Sequence, residues 1–361
     1  MFKKCLLACA VLMCTLSTFA QTPVDDALSK TKEAIKLEDA GKTDEAIALL
    51  EEAVKLAPDN FTCTYELAYG YSIKPDYQKA IEVCERLVKF KDVTGQAYQL
   101  LGNCYDEMGN SDKAINAYDA GLKKFAKAGY LYLEKGIVLM KMKDYNKALA
   151  VFETGIKVAP KHASNYFWAA KIYLGSDEKV WGMLYGEIFM NLERGTKRTA
   201  EMSKLLYDTY KSQVTFTSDT SLSVSFSKNS VINISSLKDA GKFKLPFGVG
   251  VYEPGMLVAL SLSNKQITLD ALDTVRTGFL DFYFKRFIKD YPIVLFYYQN
   301  EIQTAGHFEA YNHWLLMKGD EAAFTAWQTA NKQKWDDFIK WYTNNPIQLD
   351  DSNKFNTGQY N

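Results

Sequence analysis

Residues 95–128 read GQAYQLLGNCYDEMGNSDKAINAYDAGLKKFAKA, two helical patterns joined by a turn. Tyr98, Leu101, Gly102 and Tyr105 fall at i, i+3, i+4 and i+7, which places them on one face of a helix. Gly109-Asn110 breaks the pattern with turn chemistry. Ala114, Ala117, Tyr118 and Gly121 then repeat the spacing on a second helix. Small residues at Gly102, Ala114 and Gly121 let two antiparallel helices approach closely, and the tyrosines with Leu101 fill what remains. A single hairpin of this size cannot bury its own apolar face, so neighbours must stack on it.

The stretch is one of a series. A frame from Gly129 gives Gly136, Ala148, Phe152 and Pro160 at the close-contact, second small, large and closing positions. A frame from Phe61 gives Ala68, Ala80, Cys84 and Asp92, and one from Ala27 gives Ala34, Ala46, Leu50 and Pro58. No insertion interrupts these frames. The pattern resembles the tetratricopeptide repeat, Trp-x2-Leu-Gly-x2-Tyr, then Ala-x3-Phe, then Pro, with a period of about 34 residues. Tyr98 stands at the Trp position, and Leu101, Gly102, Tyr105, Ala114 and Tyr118 follow in register. A fifth frame from Ala163 keeps its first helix (Tyr166, Ala169, Ala170, Tyr173) but has Gly182 and Gly186 at the Ala and Phe sites. An atypical last repeat is expected where a solenoid is capped. The resemblance covers residues 27 to about 195.

The resemblance implies a right-handed superhelix whose first helices line a concave groove. The groove-facing sites of that family are the second, fifth, ninth, twelfth and thirteenth of each frame. Here they include Tyr65, Tyr69 and Ile73, then Gln99, Asn103, Asp106 and Glu107. They continue with Tyr130, Leu133, Ile137 and Met140, then Phe167 and Lys171. Such an apolar, aromatic surface marks an interaction site. Thr31 and Ile35 stand where chaperone-binding relatives carry the first Lys and Asn of a carboxylate clamp, so that use is not expected. The expected function is a scaffold binding a partner protein or peptide, with Tyr65, Tyr69, Tyr130, Leu133, Ile137 and Phe167 as apolar anchors. Gln99, Asn103 and Lys171 would supply polar registration. The competing reading is that the chain's own second half fills the groove.

The first twenty residues have the form of an export signal: Lys3 and Lys4, an apolar run from Leu6 to Leu16, and Thr18-Phe19-Ala20 before Gln21. Leu6-Leu7-Ala8-Cys9 looks like a lipobox, but cleavage before Cys9 would leave almost no apolar core upstream. Cleavage after Ala20 and a bacterial periplasmic location are expected. No later run is long enough to span a bilayer.

The chain has 43 basic and 43 acidic residues; loss of Lys3 and Lys4 leaves 41 against 43, a net of −2. Such a balance offers no general field for phosphates, which argues against nucleic acid and anionic lipid as partners. Cys5, Cys9 and Cys14 leave with the signal, and Cys63, Cys84 and Cys104 remain. Three buried thiols are expected, with a Cys63–Cys104 bridge as the alternative in a compartment that permits disulfides.

Composition shifts at about Ser212. Val214–Phe226 alternates, and Val231–Ile234, Phe243–Val251 and Met256–Leu262 read as further short strands. Helices resume near Thr268, with nine aromatic residues between Phe279 and Tyr298. A last hairpin runs to Asn344 and carries Trp314, Trp327, Trp335 and Trp341. The chain is thus expected to be mainly α: a tetratricopeptide α-α superhelix of about four to five repeats, then a small α+β domain with a short antiparallel sheet and helices. The expected domains are a signal at 1–20, the superhelix with closing helices at 21–212, the α+β domain at 213–345 and a mobile polar tail at 346–361. An aromatic C-terminal pocket for a glycan or other small ligand is the alternative function.

Catalytic and cofactor motifs are missing. Gly41-Lys42-Thr43 mimics the end of a phosphate loop, but Lys36 stands where its first Gly is needed. His162, His307 and His313 lack zinc-motif spacing, although Glu309 and His313 could share a helix face. Asp336-Asp337 and Asp350-Asp351 are adjacent and poorly placed for acid–base work. No enzyme activity, metal or cofactor is expected.

Overall fold

The computed structural model describes residues 22–218, 221–228, 245–260 and 266–360. The expected signal and the expected strand at Val231–Ile234 lie outside the described residues. The chain forms two compact units, one ending at Met108 and the other beginning at Gly109.

The first unit contains α1 (Pro23–Asp39), α2 (Thr43–Leu56), α3 (Phe61–Ile73), α4 (Tyr77–Leu87) and α5 (Gly95–Glu107). Helix α1 pairs with α2 and α3 with α4; α2 packs on α3, and α4 on α5. The frame positions account for the core, since Ala34, Ala46 and Leu50, then Ala68, Ala80 and Cys84, are all fully buried. Cys63, Cys84 and Cys104 are free, buried thiols. Burial pushes the Cys84 thiol well above its usual range and that of Cys104 up to about 11. Neither is poised as a nucleophile.

The second unit opens with α6 (Ser111–Lys124), α7 (Gly129–Lys141), α8 (Tyr145–Val158), α9 (Ala163–Leu174), α10 (Lys179–Leu192) and α11 (Lys197–Gln213). Strands β1 (Val214–Ser218) and β2 (Ser221–Val224) follow, then α12 (Glu253–Leu260), α13 (Leu269–Arg286), α14 (Val294–Thr304), α15 (Phe308–Leu316), α16 (Glu321–Ala330) and α17 (Lys332–Asn344).

Local chemistry repeats with the period. The side chains of Asp76, Asn110 and Asp144 each cap the second helix of a hairpin by accepting from a backbone N–H three residues on. Gly41, Gly109 and Lys143 close the turns with φ of 75°, 74° and 63°, a region that favours glycine. The hydroxyls of Tyr71, Tyr105 and Tyr173 donate to Glu51, Glu85 and Glu153 at 2.5, 2.7 and 2.9 Å. Each bond joins the first helix of one repeat to the second helix of the repeat before. A hydrogen bond to a carboxylate contributes about 1.5–3 kcal/mol, so this ladder reinforces stacking that apolar burial drives.

At Gly136 a Cβ would lie 2.2 Å from the ring of Phe152, which is fully buried. Gly→Ala in an open helix stabilises by about 0.8–1 kcal/mol. Gly136→Ala should instead destabilise the second unit by about 1–3 kcal/mol, read from its urea midpoint, because a packed ring must move.

Helix α10 is the axis of the second unit. Every residue from Val180 to Asn191 is buried. Gly182 lies against Leu174 of α9, and Gly186 against Met202 and Leu206 of α11. The glycines at the expected Ala and Phe sites therefore reflect close packing on two sides. A solvated cap would leave one side of the helix open. C-terminal residues complete the enclosure: Trp181 meets Phe247 and Phe355, and Asn191 bonds Tyr311 and Tyr342. The composition change at Ser212 marks a change of element type within one continuous core.

The sheet is a two-stranded antiparallel hairpin with Val214 opposite Val224 and Phe216 opposite Leu222. The expected strands at Phe243–Val251 and Met256–Leu262 are corrected: where described, this stretch forms a π-helical turn (Gly248–Tyr252) running into α12. Short apolar runs carry the same sequence signal in a buried helix as in a strand, and packing decides. The tail also differs from expectation. Ile347, Leu349, Phe355 and Thr357 are buried, and the Thr357 backbone N–H donates to Tyr185 at 3.2 Å. Thr357 also donates to Glu153, so the tail joins the Tyr173–Glu153 rung of the repeat ladder.

Candidate functional site

In the first unit, α3 carries a stacked aromatic row. Phe61 and Tyr65 have ring centroids 5.8 Å apart, and Tyr65 and Tyr69 6.5 Å apart with rings within 5° of parallel. The i, i+4 spacing on one helix places them in line. Tyr69 and Ile73, at the outer end of the row, are each 42% exposed, although both are large and apolar. Helix α5 lies beside α3 and holds Gln99, Asn103 and Asp106 half-buried, with Glu107 exposed.

Two carboxylates border this row. Glu38, near the end of α1, has its Oε1 buried without a hydrogen-bond partner. That oxygen lies over the backbone of Gly70 on α3, where a Cβ would approach it to 2.8 Å. Burial, then the negative charges of Glu66 and Asp39, push the Glu38 carboxyl up to about 7. Burial likewise raises the Glu66 carboxyl above its usual range. The sequence expectation did not include these residues. Yet Glu38 is the twelfth site of the Ala27 frame, so the position count that selects Tyr69 also selects it.

The expected site residues of the second unit are occupied differently. Phe167 is 2% exposed and packs on Phe189 at 5.0 Å. Lys171 pairs with Glu201 of α11 at 2.6 Å, and Arg198 of α11 donates to Ser164 and lies over Phe167. Leu133 and Ile137 are partly buried against the core. Tyr130 is half-buried and lines an open cleft of about 570 Å³ with His162, Pro160 and Leu349. Self-occupation thus describes the α9 positions, which α11 covers.

The C-terminal aromatics also serve packing. Trp327 stacks on His313 at 4.1 Å and donates to Glu309, Trp335 meets Phe338, and Trp314 is buried beside Tyr342. A cleft of about 560 Å³ is lined by Tyr297, Tyr298 and Tyr360. Two of its amides are engaged within the tail, Asn353 to the Gln348 carbonyl and Gln359 to the Asn356 N–H. Among the described residues no cluster of His, Cys, Asp and Glu could hold a metal ion, and no helix is long and apolar enough to cross a membrane.

Paired helices repeating in strict register, with an open aromatic face on a first helix, define an α-α repeat protein. Tetratricopeptide repeat family models match residues 31–93 and residues 95–123 and 129–162, so the chain carries tetratricopeptide repeats over those residues. It is similar to the general transcriptional corepressor trfA of Dictyostelium discoideum, 29% identical over 126 residues, covering 34% of this chain and 9% of that protein. It is also similar to a TPR repeat-containing protein of Methanocaldococcus jannaschii, 34% identical over 101 residues, covering 26% of this chain and 30% of that one. The matches thus span less than a third of either relative. Among solved structures, pilF of Pseudomonas aeruginosa is 15% identical, covering 53% of this chain and 85% of that one, with a TM-score of 0.45. Tetratricopeptide-repeat proteins are protein-interaction scaffolds, and the fold is generally non-enzymatic.

Proposed function

We propose that this chain is an exported scaffold, resident in the periplasm after removal of residues 1–20, that docks a partner protein or peptide on the α3 face of its first unit. The observation that carries the reading is the exposed end of the aromatic row, Tyr69 with Ile73, on a helix whose other faces are buried. Aromatic residues held rigidly on a helix are the usual carriers of binding energy in such grooves. Gln99 and Asn103 on α5 would register the backbone of the bound segment. Phe167 and Lys171 would act indirectly, by fixing α9 against α11.

The test is a pull-down from bacterial envelope extract with residues 21–361, beside a Tyr65→Ala/Tyr69→Ala/Tyr130→Ala variant whose helicity is checked by circular dichroism. A partner retained by the wild type and lost by the folded variant is the expected result. Truncating buried aromatic anchors costs about 2 kcal/mol or more of binding each, so the loss should be near complete. Equal retention by both proteins would place the docking surface elsewhere.

A further inference from the structure

We propose that the α1/α3 face of the first unit receives a cationic side chain, a lysine or arginine set among apolar neighbours in the partner segment. The inference rests on the docking reading above and names the chemistry of the partner. Charge complementarity carries it. At the two ends of the aromatic row Phe61 and Tyr69 offer ring faces, to which a guanidinium or ammonium is attracted. Glu38 and Glu66 stand at its border, one on each helix, and Glu38 has a buried oxygen with no donor. A desolvated carboxylate without a donor is destabilising until a cation reaches it.

The charges acting on Glu38 are Glu66 from α3 and Asp39 from α1 itself, all of one sign. At the Gly70 contact α2 presents Ile47 and Leu50, which add apolar surface and no charge. Nearby lysines are engaged with other acids, Lys30 with Glu52 at 2.6 Å and Lys74 with Asp44 at 2.5 Å. Among the described residues no cation acts on Glu38, and a peptide with alternating cationic and apolar residues supplies that charge together with apolar contact. This polarity is opposite to that of a Lys/Asn clamp for a terminal carboxylate. Thr31, at a clamp position, is buried and donates to the Ala27 carbonyl.

The sign of the stability effect makes the test robust. A carboxyl whose folded-state value is raised stabilises the fold fully below its unfolded value of about 4.5, and that contribution is lost as pH rises through about 7. At pH near 8 the ionised Glu38 opposes folding, so Glu38→Gln should melt no lower than wild type while losing the cation. Residues 21–361 and the Glu38→Gln/Glu66→Gln variant are titrated, by fluorescence anisotropy, against a labelled peptide of alternating Leu and Lys. The control peptide carries Glu at every Lys position.

The Lys peptide should bind wild type at least about tenfold more tightly than the Glu peptide near pH 8, and more weakly near pH 6. The double variant should lose about ten- to hundredfold in affinity, together with the pH slope. Unchanged affinity in that variant overturns the proposal. Equal binding of both peptides, abolished by Tyr65→Ala/Tyr69→Ala, also overturns it and leaves the docking surface standing. If neither peptide binds, the cationic reading fails, while retention of a partner in the pull-down decides the docking surface separately.

Discussion

Replacing Arg276 with methionine should destabilise the second unit by about 3–5 kcal/mol, among the largest effects expected of a single change in the chain. Arg276 is 6% exposed, and its guanidinium donates to Glu187 twice, to Asn312 at 2.7 Å and to Tyr210 at 3.1 Å. Burial opposes its charge, and Glu187 with Tyr210 outweighs that penalty, holding the guanidinium well above its usual range. Glu187 also accepts from Gln299 at 2.6 Å and Tyr311 at 2.8 Å. The network thus ties α10 to α11, α13, α14 and α15. Methionine fills the stem's volume but leaves the Glu187 carboxylate buried with no cation, which is the expensive step.

A cycle separates the pair from its surroundings. Glu187→Leu in the Arg276→Met background removes the stranded charge and should recover about half of the loss, since apolar replacement of a buried ion pair is often close to neutral. All six tryptophans lie beyond Gly109, so tryptophan fluorescence in a urea titration reads the second unit alone. A loss under about 1 kcal/mol for Arg276→Met would show the pair to be solvated and the packing account of α10 to be wrong.

The second large effect concerns the tail. Phe355→Ala should destabilise the second unit by about 3–5 kcal/mol, and a chain ending at Asn345 by more. Phe355 is 2% exposed and packs on Tyr185 at 5.6 Å and Trp181 at 6.1 Å, both on α10. Removing the segment also strips Thr357 from Tyr185 and Glu153, and exposes Ile347 and Leu349. By contrast Lys127→Ala, which deletes the exposed pair with Asp351, should leave the urea midpoint essentially unchanged. A truncated chain as stable as the full one in the same titration would contradict the tail's place in the core.

These effects also show where sequence reasoning reached and where it stopped. The repeat is legible because spacing alone fixes which small residues meet, and Ala68, Ala80 and Cys84 are buried as their positions require. The Tyr–Glu rungs were equally available, since Tyr71, Tyr105 and Tyr173 recur at multiples of the period. The tail was not legible. Its apolar residues Ile347, Leu349 and Phe355 are sparse, with polar Asp351 and Asn353 between them, and only the tertiary surface offered by Trp181 and Tyr185 gives Phe355 its place. The same holds for Gly248–Leu260, where a glycine-rich apolar run satisfies strand and buried-helix patterns alike.

The candidate site divides along the same line. The aromatic row on α3 follows from i, i+4 spacing, whereas burial of Phe167 depends on α11 folding back beside α9. Glu38 escaped notice because a carboxylate near a helix end ordinarily reads as solvated surface. Its buried oxygen over Gly70 is a fact of three-dimensional packing.

The central claim, that the open end of the α3 row is the docking surface, is tested most directly by photocrosslinking. A benzophenone amino acid is placed at Tyr69, or at Tyr145 as an equally exposed control on α8, and the protein is irradiated in envelope extract. A discrete adduct at position 69 and none at position 145 is the expected result. No adduct at 69, or the same adducts at both positions, would contradict it.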